Sequence, residues 1–313
     1  MRISRDGRPF LPGKVPGCPH SLSESARESL PAETWAAVAD IIGGITAVNP
    51  AGRGPAGCVT AAVGTEDGQH YFVKAVPEDS PAYPLHEREH IANAIKTLSL
   101  PAPGFAGARY AGGWLVLVFE YLAGRPADLS PGSRDIRLVS GLLRKLSVIP
   151  AWEGTPPVAE YVLGLQRQAL PVRKLPYADQ VLYVTAADRF DIGALAGDTV
   201  IHGDLGPGSI LVCEDGIARA VGWAQMCRGA RWIDTLLTAL QLISAGHSPE
   251  QAEHLMSGVP AWKTAPTDAV TGLTAWWTRY REAQARHGPE RDREPRERAA
   301  QAGDKLLKHR MKG

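Results

Sequence analysis

The sequence predicts an α+β fold in two lobes, a small β-rich N-lobe over residues 30–122 and a larger helical C-lobe over 123–313. Three observations carry that expectation. Between Ile45 and Pro77 the residue pattern is strand-like on both sides of an Asp67-Gly68 turn, the signature of a hairpin. Trp114-Leu-Val-Leu-Val-Phe119 is an unbroken apolar run of strand length. Beyond residue 130 the apolar spacing becomes helical, and only two short strand-like segments interrupt it.

Taken in order, residues 1–29 are rich in Pro, Gly, Ser and charge without any period, and are expected to form an extended or disordered leader. Pro31-Ala-Glu-Thr opens a helix that carries Trp35, Val38, Ile41 and Ile42 and stops at Gly43-Gly44. Strands are expected at 45–48, 58–63 and 70–76, then a helix at 85–98 broken by Pro101-Ala-Pro103. The strand at 114–119 is followed by a turn at Gly124-Arg-Pro126. The C-lobe is expected to hold helices at 136–146, 159–170, 177–195, 232–245 and 271–285, with short strands at 199–202 and 210–213. The charged tail from about Gly288 reads as a solvated helix, closing with a helical pattern over 299–307, and the adjacent Trp276 and Trp277 read as packing residues.

Bulk properties exclude several classes of partner. The chain has 313 residues, 44% of them apolar, enough for a sizeable core. Lys and Arg number 34 against 33 Asp and Glu, a net charge of +1, so no global field favours nucleic acid or an anionic membrane. The charged N-terminal segment lacks the apolar centre of a signal peptide, and no stretch reaches the roughly 18 apolar residues of a membrane span. Cys18, Cys58, Cys213 and Cys227 form no CxxC pair, which suits a reducing, cytoplasmic setting. His20, His86, His90 and His247 have no metal-ligand spacing and read as surface or capping residues.

Four segments carry chemistry. Gly52-Arg-Gly54-Pro-Ala-Gly57-Cys-Val59 fits GxGxxGxV, in which missing β-carbons let backbone amides approach phosphate oxygens. Fifteen residues past Val59 stands Lys74, the spacing at which kinases place the lysine that grips the α- and β-phosphates of a nucleotide. Glu87-Arg-Glu89 opens the next helix, and either carboxylate could hold that lysine. Val200-Ile-His202-Gly203-Asp204-Leu-Gly-Pro-Gly-Ser209 places a His-Gly-Asp apex between two strands.

Over residues 30–313 these segments resemble the aminoglycoside-phosphotransferase and choline-kinase branch of the kinases, including its actinobacterial members. The resemblance implies a bilobal protein-kinase-like fold with ATP or GTP as cofactor, and it makes Glu89 the partner of Lys74. It sets Phe119-Glu120-Tyr121-Leu122 at the lobe junction, where the backbone of Glu120 and Leu122 would meet the nucleotide base. It makes Asp204, supported by His202, the acceptor of the substrate hydroxyl's proton. Two positions depart from the family. Its magnesium-binding asparagine falls at Ser209, and its magnesium-binding aspartate falls at Gly222, in a frame fixed by Gly216, Val221, Gly229 and Asp234.

Magnesium binding is therefore expected to be weak or absent, with oxygens of Glu214, Asp215 or Gln225 as the nearby substitutes. The expectation is a pseudokinase or attenuated kinase that binds a nucleotide together with a peptide or partner protein, with modified-peptide natural-product biosynthesis as one setting. The alternative is an active ATP- or GTP-dependent O-phosphotransferase acting on an antibiotic-like small molecule or on a peptide Ser or Thr.

Overall fold

The computed structural model describes residues 29–53, 57–95 and 100–312. The leader, apart from Ser29, and Gly54 of the glycine-rich motif lie outside the described residues. The chain divides into two compact units. One holds the described residues up to position 98 together with Pro103–Ala123, and the other holds those of Ser99–Ala102 and Gly124–Gly313.

The first unit is built on one antiparallel sheet. After helix α1 (Ala32–Ile42) come β1 (Ile45–Arg53), β2 (Val59–Thr65), β3 (His70–Pro77), helix α2 (Tyr83–Ile95), β4 (Phe105–Ala111) and β5 (Trp114–Glu120), and the strands lie in the order β1-β2-β3-β5-β4. Alternation along the strands feeds two cores. Val59, Ala61, Val63, Val73, Ala75, Val116 and Val118 pack with Trp35 and Val38 of α1 on one face. Cys58, Val76, Leu115, Leu117 and Phe119 cluster on the other. With both faces covered, β5 is apolar from Trp114 to Phe119, hence its unbroken run.

Two strands of this sheet differ from expectation. β1 runs on to Arg53 through Pro50, which an edge strand tolerates because no inner ladder needs its N–H. β4 has no counterpart in the sequence reading: it is the opposite edge, mostly half-exposed or exposed, and its small and polar residues give no apolar alternation. The Asp67-Gly68 turn joins β2 and β3, with Gly68 at φ 78.

The second unit carries β6 (Gly124–Pro126), α3 (Asp135–Leu146), α4 (Val158–Gln168), α5 (Tyr177–Asp188), β7 (Thr199–Ile201), β8 (Ile210–Cys213), β9 (Ala218–Ala220) and β10 (Cys227–Gly229). Helices α6 (Ile233–Ser244), α7 (Pro249–Ser257), α8 (Thr267–His287) and α9 (Arg293–Arg310) complete it. Its strands form a three-stranded sheet, β6-β8-β9, and a β10-β7 pair. Helix α6 is buried at nearly every position, and Leu236 and Leu240 are wholly inaccessible, so it runs through the core.

Several expectations are corrected here. The segment 124–126 is a strand, not only a turn, and a Cβ on Gly124 would lie 2.8 Å from the Val212 carbonyl oxygen across the ladder. The helix expected over 177–195 stops at Asp188, and Asp191 then caps a separate 3-10 turn, Ile192–Leu195, by accepting from the Gly193 N–H. Helix α7 escaped the reading although Ser248 and Gln251 form a complete capping box. His247 is buried, its Nε2 3.0 Å from the Leu129 carbonyl oxygen. The tail is more than a solvated helix: α9 buries Ala299, Ala300, Ala302, Gly303, Leu306 and Leu307. At Gly303 a Cβ would fall 2.0 Å from Thr278 Oγ1, so the missing side chain is what lets α9 approach α8. No helix among the described residues is long and apolar enough to cross a membrane.

Candidate functional site

In the first unit, Lys74 and Glu89 meet. Lys74 projects from the middle of β3 and donates from Nζ to both carboxylate oxygens of Glu89 on α2, at 2.7 Å and 3.0 Å. Only 5% of the Glu89 side chain and 20% of the Lys74 side chain are exposed, so water screens the pair weakly. The Lys74 ammonium also lies 5.4 Å from the centre of the Phe119 ring. Asn93, one turn on, donates to the Glu89 carbonyl and ties this part of α2 together. Of the glycine motif, Gly52 lies within β1 and Gly57 follows the undescribed residues at φ 82, the left-handed region that glycine occupies readily. Glu120 ends β5 and accepts from the Gly104 N–H at 3.0 Å, while Leu122 is half-buried just beyond.

In the second unit, the His202–Asp204 apex is organised from behind by Asp234. That carboxylate, at the start of α6, accepts from the backbone N–H of His202 at 2.8 Å and of Gly203 at 3.0 Å. Burial pushes the Asp234 carboxyl above its ordinary range, while His202 and the two N–H donors oppose the shift. His202 is wholly buried and stands edge-on to Trp223, with ring centres 4.6 Å apart. Its Nε2 lies 3.1 Å from the Val221 carbonyl oxygen and its Nδ1 accepts from the Asp204 N–H at 3.3 Å, which requires the proton on Nε2. Gly203 is at φ 81, and a Cβ there would sit 2.8 Å from the Gln225 carbonyl oxygen, so this turn needs glycine. The arrangement leaves the Asp204 side chain 57% exposed.

Ser209 and Gly222 offer little to a metal. The Ser209 hydroxyl donates to the Asp204 carbonyl oxygen at 2.6 Å and accepts from the Gly206 N–H at 2.9 Å, closing the loop on itself. Gly222 adopts φ 79, ψ 60, and a Cβ built there meets nothing within 4 Å. Of the proposed substitutes, Asp215 is already engaged by Arg219 through two bonds of 2.9 Å and 2.5 Å. Magnesium thus has neither the amide oxygen nor the carboxylate that the resemblance would call for at these two places.

The sequence reading missed one group. Arg281 on α8 reaches Asp204, Nη2 to Oδ1 3.4 Å, with its guanidinium 5.0 Å from the Trp277 ring centre and 5.7 Å from that of Tyr280. Tyr161 of α4 shares this environment: burial pushes its phenol well above the ordinary value, the Asp204 charge adds to the shift and Arg281 opposes it. The Trp277 and Arg281 positions are one helical turn apart, a spacing that could have drawn attention to them.

The model of the phosphotransferase enzyme family matches residues 59–266, more than half of the chain. This chain belongs to the phosphotransferase enzyme family. Lys74, Glu89, His202, Asp204, Ser209, Gly222 and Asp234 fall inside the matched segment of this family member, whereas Gly52 and Gly57 precede it. No curated protein sequence matches this one. Solved structures agree on the fold. An aminoglycoside phosphotransferase from Alicyclobacillus acidocaldarius is 13% identical, with 93% of this chain and 96% of that one covered at a TM-score of 0.56. A thermostable mutant of aminoglycoside phosphotransferase APH(4)-Ia, in ternary complex with ADP and hygromycin B, is 8% identical over 88% of this chain and 98% of its own, at a TM-score of 0.61. The choline kinase LicA from Streptococcus pneumoniae is 13% identical over 87% and 97%, at 0.52. This family member thus has the kinase-like arrangement of a small antiparallel-sheet lobe and a helical lobe.

Proposed function

We propose that this phosphotransferase-family chain binds ATP or GTP and acts as a pseudokinase or strongly attenuated kinase, holding a small-molecule or peptide hydroxyl compound, or a partner protein, in its helical unit. The observation that carries the reading is the pairing of an intact Lys74–Glu89 contact with a Ser209 hydroxyl turned into its own loop and a side-chain-free Gly222. Lys74 and the glycine-rich amides would hold the nucleotide phosphates, as the relative solved with ADP suggests. Losing the ion that neutralises developing phosphoryl charge removes several factors of ten in rate, each about 1.4 kcal/mol. Buried thiols at Cys58, Cys213 and Cys227 suit a reducing, cytoplasmic setting.

One observation favours retained phosphoryl transfer. Asp204 is exposed and its loop is held in place, so it could take the proton of an acceptor hydroxyl as the oxygen attacks the γ-phosphorus in line. Calorimetric titration with ATP, with and without magnesium, decides between the two. Affinity indifferent to magnesium supports the pseudokinase reading. Strong magnesium-dependent tightening, with hydrolysis, would overturn it.

A further inference from the structure

We propose that the ligand held beside Asp204 carries an anionic group, a carboxylate or a phosphate monoester, recognised by Arg281. The proposal rests on the reading above, in which Asp204 faces an acceptor hydroxyl, and it specifies the chemical class of that acceptor.

The guanidinium of Arg281 has donors to offer. It makes a single long contact with Asp204, at 3.4 Å, whereas Arg125 grips Asp135 through two bonds of 2.5 Å and 2.9 Å. The Nε of Arg281 is buried without a partner, and only 19% of the side chain is exposed. A guanidinium has five N–H donors in a rigid fork, and a buried donor left unmet is unfavourable. Trp277 and Tyr280 flank the group and restrict its orientation before any ligand arrives. Such a preoriented, incompletely bonded fork matches the planar geometry of a carboxylate or two oxygens of a phosphate.

The same placement disfavours cationic ligands. A positively charged acceptor brought to Asp204 would come within a few ångströms of a fixed guanidinium, and repulsion at that range counts heavily against a partner. The Asp204 carboxylate is shared with Arg281 and so attracts a cation less than an isolated carboxylate would. Choline and aminoglycosides, the ligand classes of the solved relatives, are therefore poor fits to this chain.

The test uses the full chain and follows tryptophan fluorescence, to which Trp277 beside Arg281 contributes, with calorimetry as a second readout. Glycerate is the carboxylate probe and glycerol 3-phosphate the phosphate probe, while glycerol, choline and hygromycin B are the neutral and cationic controls. Saturable binding of either anion, with glycerol and both cations weaker, is expected, and the anion that binds identifies the source. Arg281→Gln should weaken that anion by about ten-fold or more, as for loss of a charged hydrogen-bond partner. Arg281→Lys should fall between, and Arg281→Glu should reverse the preference towards choline or hygromycin B. A merely structural arginine would not produce this graded change with charge, because Lys and Gln would damage packing alike. Tighter binding of a cation than of both anions would overturn the proposal. So would anion binding unchanged in Arg281→Gln, or no saturation by either anion up to about 10 mM, an order of magnitude above usual substrate affinities. ATP affinity of the unaltered chain is measured separately. If nucleotide binding fails while Arg281-dependent anion binding persists, only the nucleotide reading falls.

Discussion

Replacing Gly222 by Asp and Ser209 by Asn together should restore magnesium dependence to nucleotide binding. At Gly222 the backbone is left-handed, φ 79 and ψ 60, which disfavours most residues by about 1–2 kcal/mol and Asp or Asn by less. The new Cβ meets no atom within 4 Å, so no packing penalty adds to this. Ser209→Asn removes hydroxyl bonds to the Asp204 carbonyl and from the Gly206 N–H, each worth about 1 kcal/mol, and the amide can remake part of them. The double variant should therefore lose about 1–3 kcal/mol of stability and still fold. Its gain should be a tightening of ATP by magnesium of at least about ten-fold, or 1.4 kcal/mol, against a small effect in the unaltered chain. Calorimetry at matched ionic strength measures both, and thermal unfolding confirms that the variant is folded. If slow hydrolysis appears, adding Asp204→Asn should abolish it by removing the base. A folded double variant whose ATP affinity ignores magnesium would refute the argument that these two positions alone silence the metal site.

Further outcomes follow from the ion pairs. Glu89→Gln leaves the mostly buried Lys74 without its counter-charge and should destabilise the chain by about 2 kcal/mol, and combining it with Lys74→Met should recover part of that loss in a double-mutant cycle read by urea unfolding. Additive effects would mean that the pair is not coupled. Arg125 holds the Asp135 carboxyl below the usual range, its hydrogen bond being the main cause, and the Asp128 N–H adds to the effect. A depressed folded value contributes stability that is present above the unfolded value of about 3.9 and is lost as pH falls through the lower folded one. Unfolding temperatures of wild type and Asp135→Asn should accordingly differ at neutral pH and converge as pH falls below about 4; a constant offset would contradict this.

The parts of the fold that the sequence disclosed are those where one residue pattern answers to one constraint. The apolar run of β5 is legible because both of its faces are covered, whereas the roles expected of Lys74 and Asp204 rest on the resemblance of their segments to a family and not on any residue pattern by itself. Edge strand β4 was not legible, since an edge needs no apolar alternation, and β9 and β10 are three-residue strands too short to show a period. The break in the expected helix at 177–195 depends on a local cap at Asp191, which competes with a pattern that otherwise continues. Arg281 stayed hidden for another reason: it lies 77 positions from Asp204, and only the packing of α8 brings the two together.

The order in which these pieces leave the ribosome separates the two units. Every strand of the five-stranded sheet precedes position 121, so the first unit has all of its pairing partners before any residue from Gly124 onward is made. The second unit has no such advantage. The face of α8 around Thr278 is closed by Gly303, and Arg310 bonds back to Thr271, and both closing residues are made after α8 itself. Helix α8 therefore cannot be seated until positions 303–310 have been made, and a chain stalled before them would present a finished sheet attached to a helical unit whose Arg281-bearing helix still lacks its backing.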